Sequence, residues 1–111
     1  MEITVEARET GPAVVALAGR LDLLSSAGLK ERLTQEVAAG RKKLVIDLGE
    51  VSFIDSSGLG ALIGGLKAAR LAGGDLRIAR PSDQAQVILK LTTLDRVLRP
   101  FASVDEALAG Y

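Results

Sequence analysis

The chain has 111 residues, 48% of them hydrophobic and only 3% aromatic, and its 14 basic and 14 acidic side chains cancel to a formal net charge of zero. That is enough for one domain, residues 1–111, with a core of Leu, Val, Ile and Ala, and the charge balance gives no pull toward nucleic acid or a membrane surface. Without a single cysteine or histidine, disulfides, Ser-His-Asp and Cys-His catalysis and the commonest zinc sites are excluded.

Met1-Glu2-Ile3-Thr4 opens directly on strand-like alternation rather than on the basic and apolar regions of a signal peptide. No apolar run approaches the roughly twenty residues of a membrane-crossing helix, so the expected location is the cytoplasm. Ile3-Thr4-Val5-Glu6 has the period of a half-exposed strand. Gly11-Pro12 marks a turn, and Ala13-Val14-Val15-Ala16-Leu17-Ala18 is a more buried second strand, so the pair predicts an opening hairpin. Gly19-Arg20-Leu21-Asp22 is expected to leave the sheet. Asp22, taken alone, reads as a cap of the coming helix or a solvated side chain, and Ser25-Ser26 can also cap that first helix, which carries Leu29, Leu33 and Val37 on one face. Gly40 stops that helix, and Arg41-Lys42-Lys43 reads as a solvated end where positive charge suits the helix dipole.

Leu44-Val45-Ile46-Asp47-Leu48 is almost uniformly apolar, as a buried strand of a parallel sheet should be. After it, Asp55, Ser56 and Ser57 are the residue types that cap a helix, because their oxygens accept the first orphan N–H groups. Leu59, Leu62, Ile63, Leu66 and Ala69 then follow at helical spacing as an inward stripe. Such a loop displays serines beside backbone N–H groups, where a phosphate is tolerated. Asp75-Leu76-Arg77-Ile78-Ala79 is a further strand. Pro81-Ser82-Asp83 starts a helix expected to face Val87, Ile88 and Leu91 inward. Thr92 to Val97 leads into a last short strand, and Ser103 to Leu108 closes as a short helix. Strands alternating with helices after a hairpin predict an α/β fold, a mixed sheet with parallel crossovers.

The helix from Ser57 to Ala72 has an unusual outer face. Ser57, Gly60, Ala61, Gly64, Ala68, Leu71 and Ala72 carry no charge, where a solvent face would carry Lys, Glu and Gln. Each interior glycine costs about 1 kcal/mol of helix stability relative to alanine, so Gly60, Gly64 and Gly65 call for compensation. Close approach of another backbone supplies it and makes this face a docking surface; cover by another part of the same chain is the alternative. Gly58-Leu59-Gly60 and Gly64 also come near a dinucleotide-binding spacing, but Asp55 and Ser56 would crowd a pyrophosphate, and no G-K-[ST] ending completes a P-loop. No cofactor is implied by the chain itself.

Ser52-Phe53-Ile54-Asp55-Ser56-Ser57-Gly58-Leu59-Gly60 resembles the signature of the STAS domain in bacterial anti-sigma factor antagonists. Gly19-Arg20-Leu21-Asp22 resembles the family's Gly-acidic-Leu-Asp element, with Arg20 where a glutamate is frequent. The closing segment resembles the family's Leu-Thr-Gly-Leu turn, short strand and Glu-Ala-Leu helix, with Thr93 in place of the glycine. The resemblance implies a STAS-like single domain and a non-enzymatic role in transcription regulation by partner-switching. Ser56, directly after the aspartate, would be the phosphoacceptor of an anti-sigma factor serine/threonine kinase of the GHKL (histidine-kinase-like ATPase) type. The unphosphorylated form would bind that kinase and release the sigma factor, and a phosphatase would reset it. Asp22, Asp55, Ser56, Ser57, Gly58, Gly60 and Gly64 would form the partner-binding surface, while ATP and magnesium would belong to the kinase. The alternative within the same resemblance is a non-switching STAS scaffold or accessory subunit of a larger complex.

Overall fold

The computed structural model describes residues 1–7 and 11–111. Its elements run in the order β1 (Glu2–Glu6), β2 (Ala13–Leu21), α1 (Leu23–Ala38), β3 (Lys43–Ile54), α2 (Ser56–Leu71), β4 (Asp75–Ala79), α3 (Asp83–Leu91), a 3-10 turn (Leu94–Arg96), β5 (Pro100–Phe101) and α4 (Val104–Leu108). The five strands form one sheet in the order β1-β2-β3-β4-β5. β1 and β2 are antiparallel, as the hairpin reading expects, and β2 through β5 pair in parallel.

Alternation along the strands sorts side chains to two faces. Val15, Leu17, Leu44, Ile46, Leu48, Leu76 and Ile78 point to one face, where Leu29 and Leu33 of α1, Leu59, Leu62 and Leu66 of α2, and Ala85 and Leu89 of α3 meet them. On the other face, Val14, Val45 and Ala79 are covered by Ala107, with Phe101, Val104, Leu108 and Tyr111 packed around it. The Tyr111 hydroxyl fastens this layer by accepting from Leu44 N–H and donating to Leu44 C=O, both at 3.0 Å. Each fully buried Leu or Ile stabilises the fold by about 1.5–3 kcal/mol, so an aliphatic core compensates for the scarcity of aromatics.

Four expectations need correction. Gly19–Leu21 do not leave the sheet: Gly19, Arg20 and Leu21 pair with Val51, Phe53 and Ile54, after register shifts, so both strands are longer than their apolar cores. The cap of α1 is Asp22, whose carboxylate accepts from Leu24 N–H while the Ser25 hydroxyl accepts from the Asp22 N–H; the acidic cap three positions before Ser25 wins over Ser25-Ser26 because the side chain of Ser25 completes it reciprocally. In α3 the buried residues are Ala85 and Leu89, with Ile88 packed against them, whereas Val87 and Leu91 are 56% and 79% exposed. Ser82, whose hydroxyl accepts from Ala85 N–H, starts that helix and sets its phase. Ile63, expected in the inward stripe of α2, is only partly buried against the core, whereas Ala69 is buried as expected. At Thr93 the chain adopts φ +57°, so the left-handed turn survives without the glycine that would make it unstrained.

Candidate functional site

The site follows from one feature of register. β2 and β3 run in parallel and end together, Leu21 opposite Ile54. Each strand is followed by an aspartate in extended conformation that caps a sixteen-residue helix: Asp22 caps α1 and Asp55 caps α2. The Asp55 N–H donates to Leu21 C=O at 3.2 Å, which ties the second strand end to the first. Two acidic caps and two helix N-termini therefore stand side by side at one end of the sheet, just past the C-terminal ends of β2 and β3. Sequence spacing alone leaves Asp22 and Asp55 thirty-three residues apart with no stated relation.

Asp55 Oδ1 accepts from Gly58 N–H at 2.9 Å, one of the orphan donors of the first turn. Ser56 is the first residue of α2 and is exposed. Its hydroxyl has no hydrogen-bond partner among the described residues, unlike Ser25, Ser82 and Ser103, which are all engaged in caps. Ser57 is partly buried on the side toward α1. Gly58 is there for space: a Cβ at this position would collide with the carbonyl oxygen of Leu21 and lie 2.7 Å from its Cγ. The glycine thus lets the first turn of α2 sit directly against the end of β2.

Between the starts of α1 and α2 lies an open groove of about 370 Å³, lined by Ser26, Ala27, Lys30, Ser57, Gly60 and Ala61. The uncharged face read from the sequence divides here. Ala61 is 4% exposed, and a Cβ on Gly64 would press the aliphatic chain of Lys30 at 3.0–3.3 Å. A Cβ on Gly65 would crowd Leu33 of α1. Much of the compensation for these glycines is therefore α1 itself, the intrachain alternative. Gly60 is different: nothing lies within 4 Å of a Cβ placed on it.

The electrostatics at Asp22 are set by opposing influences. Desolvation pulls its pKa up, but the N–H of Leu24, the Arg20 guanidinium and the N–H of Ser25 outweigh it and leave the carboxyl below its ordinary value. Arg20 Nε lies 3.4 Å from Asp22 Oδ2, and the guanidinium stacks on Phe53, its cross-strand partner, 4.5 Å from the ring centroid. Arg20 and Lys30 are the site residues that sequence reasoning passed over. The adjacency of Arg20 to Asp22 carried a signal for the first; the placement of Lys30 over Gly64 has none before the helices are packed.

The STAS domain family model matches residues 4–107. A protein from Thermotoga maritima, described as a candidate anti-sigma factor antagonist, is 32% identical over 69 residues, 62% of this chain and 61% of that protein. The chain thus spans about three-fifths of the length of this relative. The anti-sigma-F factor antagonist RsfB of Mycobacterium tuberculosis is 34% identical over 107 residues, 94% of this chain and 84% of RsfB. Among solved structures, SpoIIAA superposes with a TM-score of 0.81 in its unphosphorylated form, covering 96% of this chain and 92% of SpoIIAA. The phosphorylated form of the Bacillus protein gives 0.73, covering 96% of each; identity is 20% in both, so these show the shared fold. By the family match and by its relatives, this chain belongs to the STAS domain family of anti-sigma factor antagonists.

Proposed function

We propose that this chain is a cytoplasmic anti-sigma factor antagonist whose binding to an anti-sigma factor is switched off by phosphorylation of Ser56. The observation that carries the reading is the placement of Ser56: exposed, free of intrachain hydrogen bonds among the described residues, and first in α2. The hydroxyl is accessible to a kinase, and a phosphate there would meet the N–H groups of the opening turn. Phosphorylation adds about −1.5 to −2 charges, and at a helix N-terminus that charge is favoured by the dipole. Asp55, already engaged with Gly58 N–H, opposes it modestly. The fold therefore persists, and the change is felt by the partner, which meets a dianion where it fitted a neutral hydroxyl.

In this reading the partner is a GHKL-type anti-sigma factor kinase that brings its own ATP and magnesium, and a phosphatase resets Ser56. The chain is ligand and substrate, with no catalysis of its own. Among the described residues no helix is long and apolar enough to cross a membrane.

The test pairs modification with binding. Incubation with the cognate kinase and ATP, followed by peptide mapping, is expected to place phosphate on Ser56 and not on Ser57. Ser56→Ala is expected to bind the anti-sigma factor as the unmodified protein does, and Ser56→Asp to bind about 1–3 kcal/mol more weakly by calorimetric titration. Equal affinities for unmodified, phosphorylated and Ser56→Asp protein would replace the switch by a scaffold role.

A further inference from the structure

The last half of β3 has a strand on only one side. Its pairing with β4 ends at Asp47 opposite Ala79, while pairing with β2 continues to Ile54. Ile54 is 1% exposed, and an unpaired N–H and C=O in such surroundings is costly. Both groups are met by one side chain. Gln84 Oε1 accepts from Ile54 N–H at 3.0 Å, and Gln84 Nε2 donates to Ile54 C=O at 2.7 Å. A primary amide carries the same donor and acceptor as a peptide group, so Gln84 occupies the place of the missing neighbour strand.

The clamp has a firm base. Gln84 is the second residue of α3, whose Ser82 cap and buried Ala85 and Leu89 lock the helix to the core. On the opposite side, Asp55 N–H is held by Leu21 C=O. The two residues that immediately precede Ser56 are therefore gripped from both sides, by a strand end and by a side chain from a helix thirty residues later. Phosphoryl transfer requires the hydroxyl to be presented in line, and a small misplacement is expensive in rate. We infer that Gln84 is the positioning residue for Ser56, holding the strand end from which the phosphoacceptor is displayed. This inference rests on the reading of Ser56 as phosphoacceptor.

Gln84→Met keeps the length of the side chain and removes both hydrogen bonds; Gln84→Glu keeps the acceptor and loses the donor. Each full-length variant is to be phosphorylated by the cognate kinase under steady-state conditions, and amide exchange is to be followed residue by residue. The expected result is a fall in kcat of tenfold or more with KM changed less than twofold. Ile54 N–H is expected to exchange at least tenfold faster in Gln84→Met, while Val45 and Ile46, paired on both sides, keep their protection. A kcat within twofold of the parent, a loss confined to KM, or a uniform loss of protection along β3 would each overturn the inference. If the parent protein is not phosphorylated on Ser56, the functional reading fails by itself. The exchange of Ile54 and the amide shifts of Ser56 to Gly58 then decide whether Gln84 holds the loop; unchanged values in Gln84→Met would overturn it.

Discussion

Gly60→Gln separates docking from internal packing. In the free domain the new side chain enters open space, since no atom lies within 4 Å of a Cβ there. Glycine costs about 1 kcal/mol in a helix interior, and glutamine is close to alanine. The substitution is therefore expected to raise stability by about 0.5–1 kcal/mol, a rise in Tm of roughly 2–5 °C for a domain of this size. The same side chain lies in the groove between α1 and α2, where a partner pressed against the helix would meet it. Loss of tenfold or more in affinity is expected, equivalent to about 1.4 kcal/mol. Thermal unfolding and calorimetric titration against the anti-sigma factor read the two effects separately. A more stable variant that binds within twofold of the parent would refute the groove as a docking surface. A clear drop in Tm would refute the open-space argument itself. Gly64→Gln is the less informative neighbour, because it must first displace the chain of Lys30.

Asp22→Asn is expected to leave Tm nearly unchanged, since asparagine caps as well as aspartate, yet to weaken partner binding several-fold; unaltered affinity would reduce Asp22 to a cap. The hydrogen bonds from Arg80 hold the Asp47 carboxyl below its ordinary value against an opposing desolvation. The stability this gives is present above the unfolded-state pKa of about 3.9 and is lost as pH falls through the lower folded value. Asp47→Asn is thus expected to flatten the acid limb of denaturant midpoint against pH, and an unchanged limb would count against the pairing. Thr93→Gly is expected to stabilise by about 0.5–1 kcal/mol, relief of left-handed strain exceeding the entropy glycine adds to the unfolded chain, with urea unfolding as the measurement.

What was legible in the sequence was whatever depends on local patterning. The opening hairpin, the buried run at Leu44–Leu48, the cap at Asp55 and the inward positions Leu59, Leu62 and Leu66 follow from alternation, capping chemistry and helical period, and each stands in the structure. Ends were harder. Gly19–Leu21 and Val51–Ile54 lack a continuous apolar run, yet they pair because each supplies the other's hydrogen bonds. Asp22 was visible as a cap of some kind, but its preference over Ser25 depends on the reciprocal bond between them. The division of the small-residue face, with Gly64 filled by Lys30 and Gly60 left open, had no sequence signal at all. It is decided by how far apart α1 and α2 pack, and that distance is tertiary.

The same tertiary fact limits how a switch at Ser56 can work. The segment before it is hydrogen-bonded to β2 through Leu21, and Gly58 behind it is pressed against that residue. A phosphate on an exposed hydroxyl at the favourable end of a helix gives the loop no reason to leave these contacts. Rearrangement of the domain would have to break buried bonds, each leaving an unsatisfied group at a cost of about 1–3 kcal/mol, with nothing gained in return. The cheaper consequence of the proposed modification would fall outside the chain, on a partner that would have to desolvate a dianion beside Asp22 and Asp55. On the proposed switch, a rigid display of this kind would make affinity, rather than shape, the quantity that phosphorylation changes.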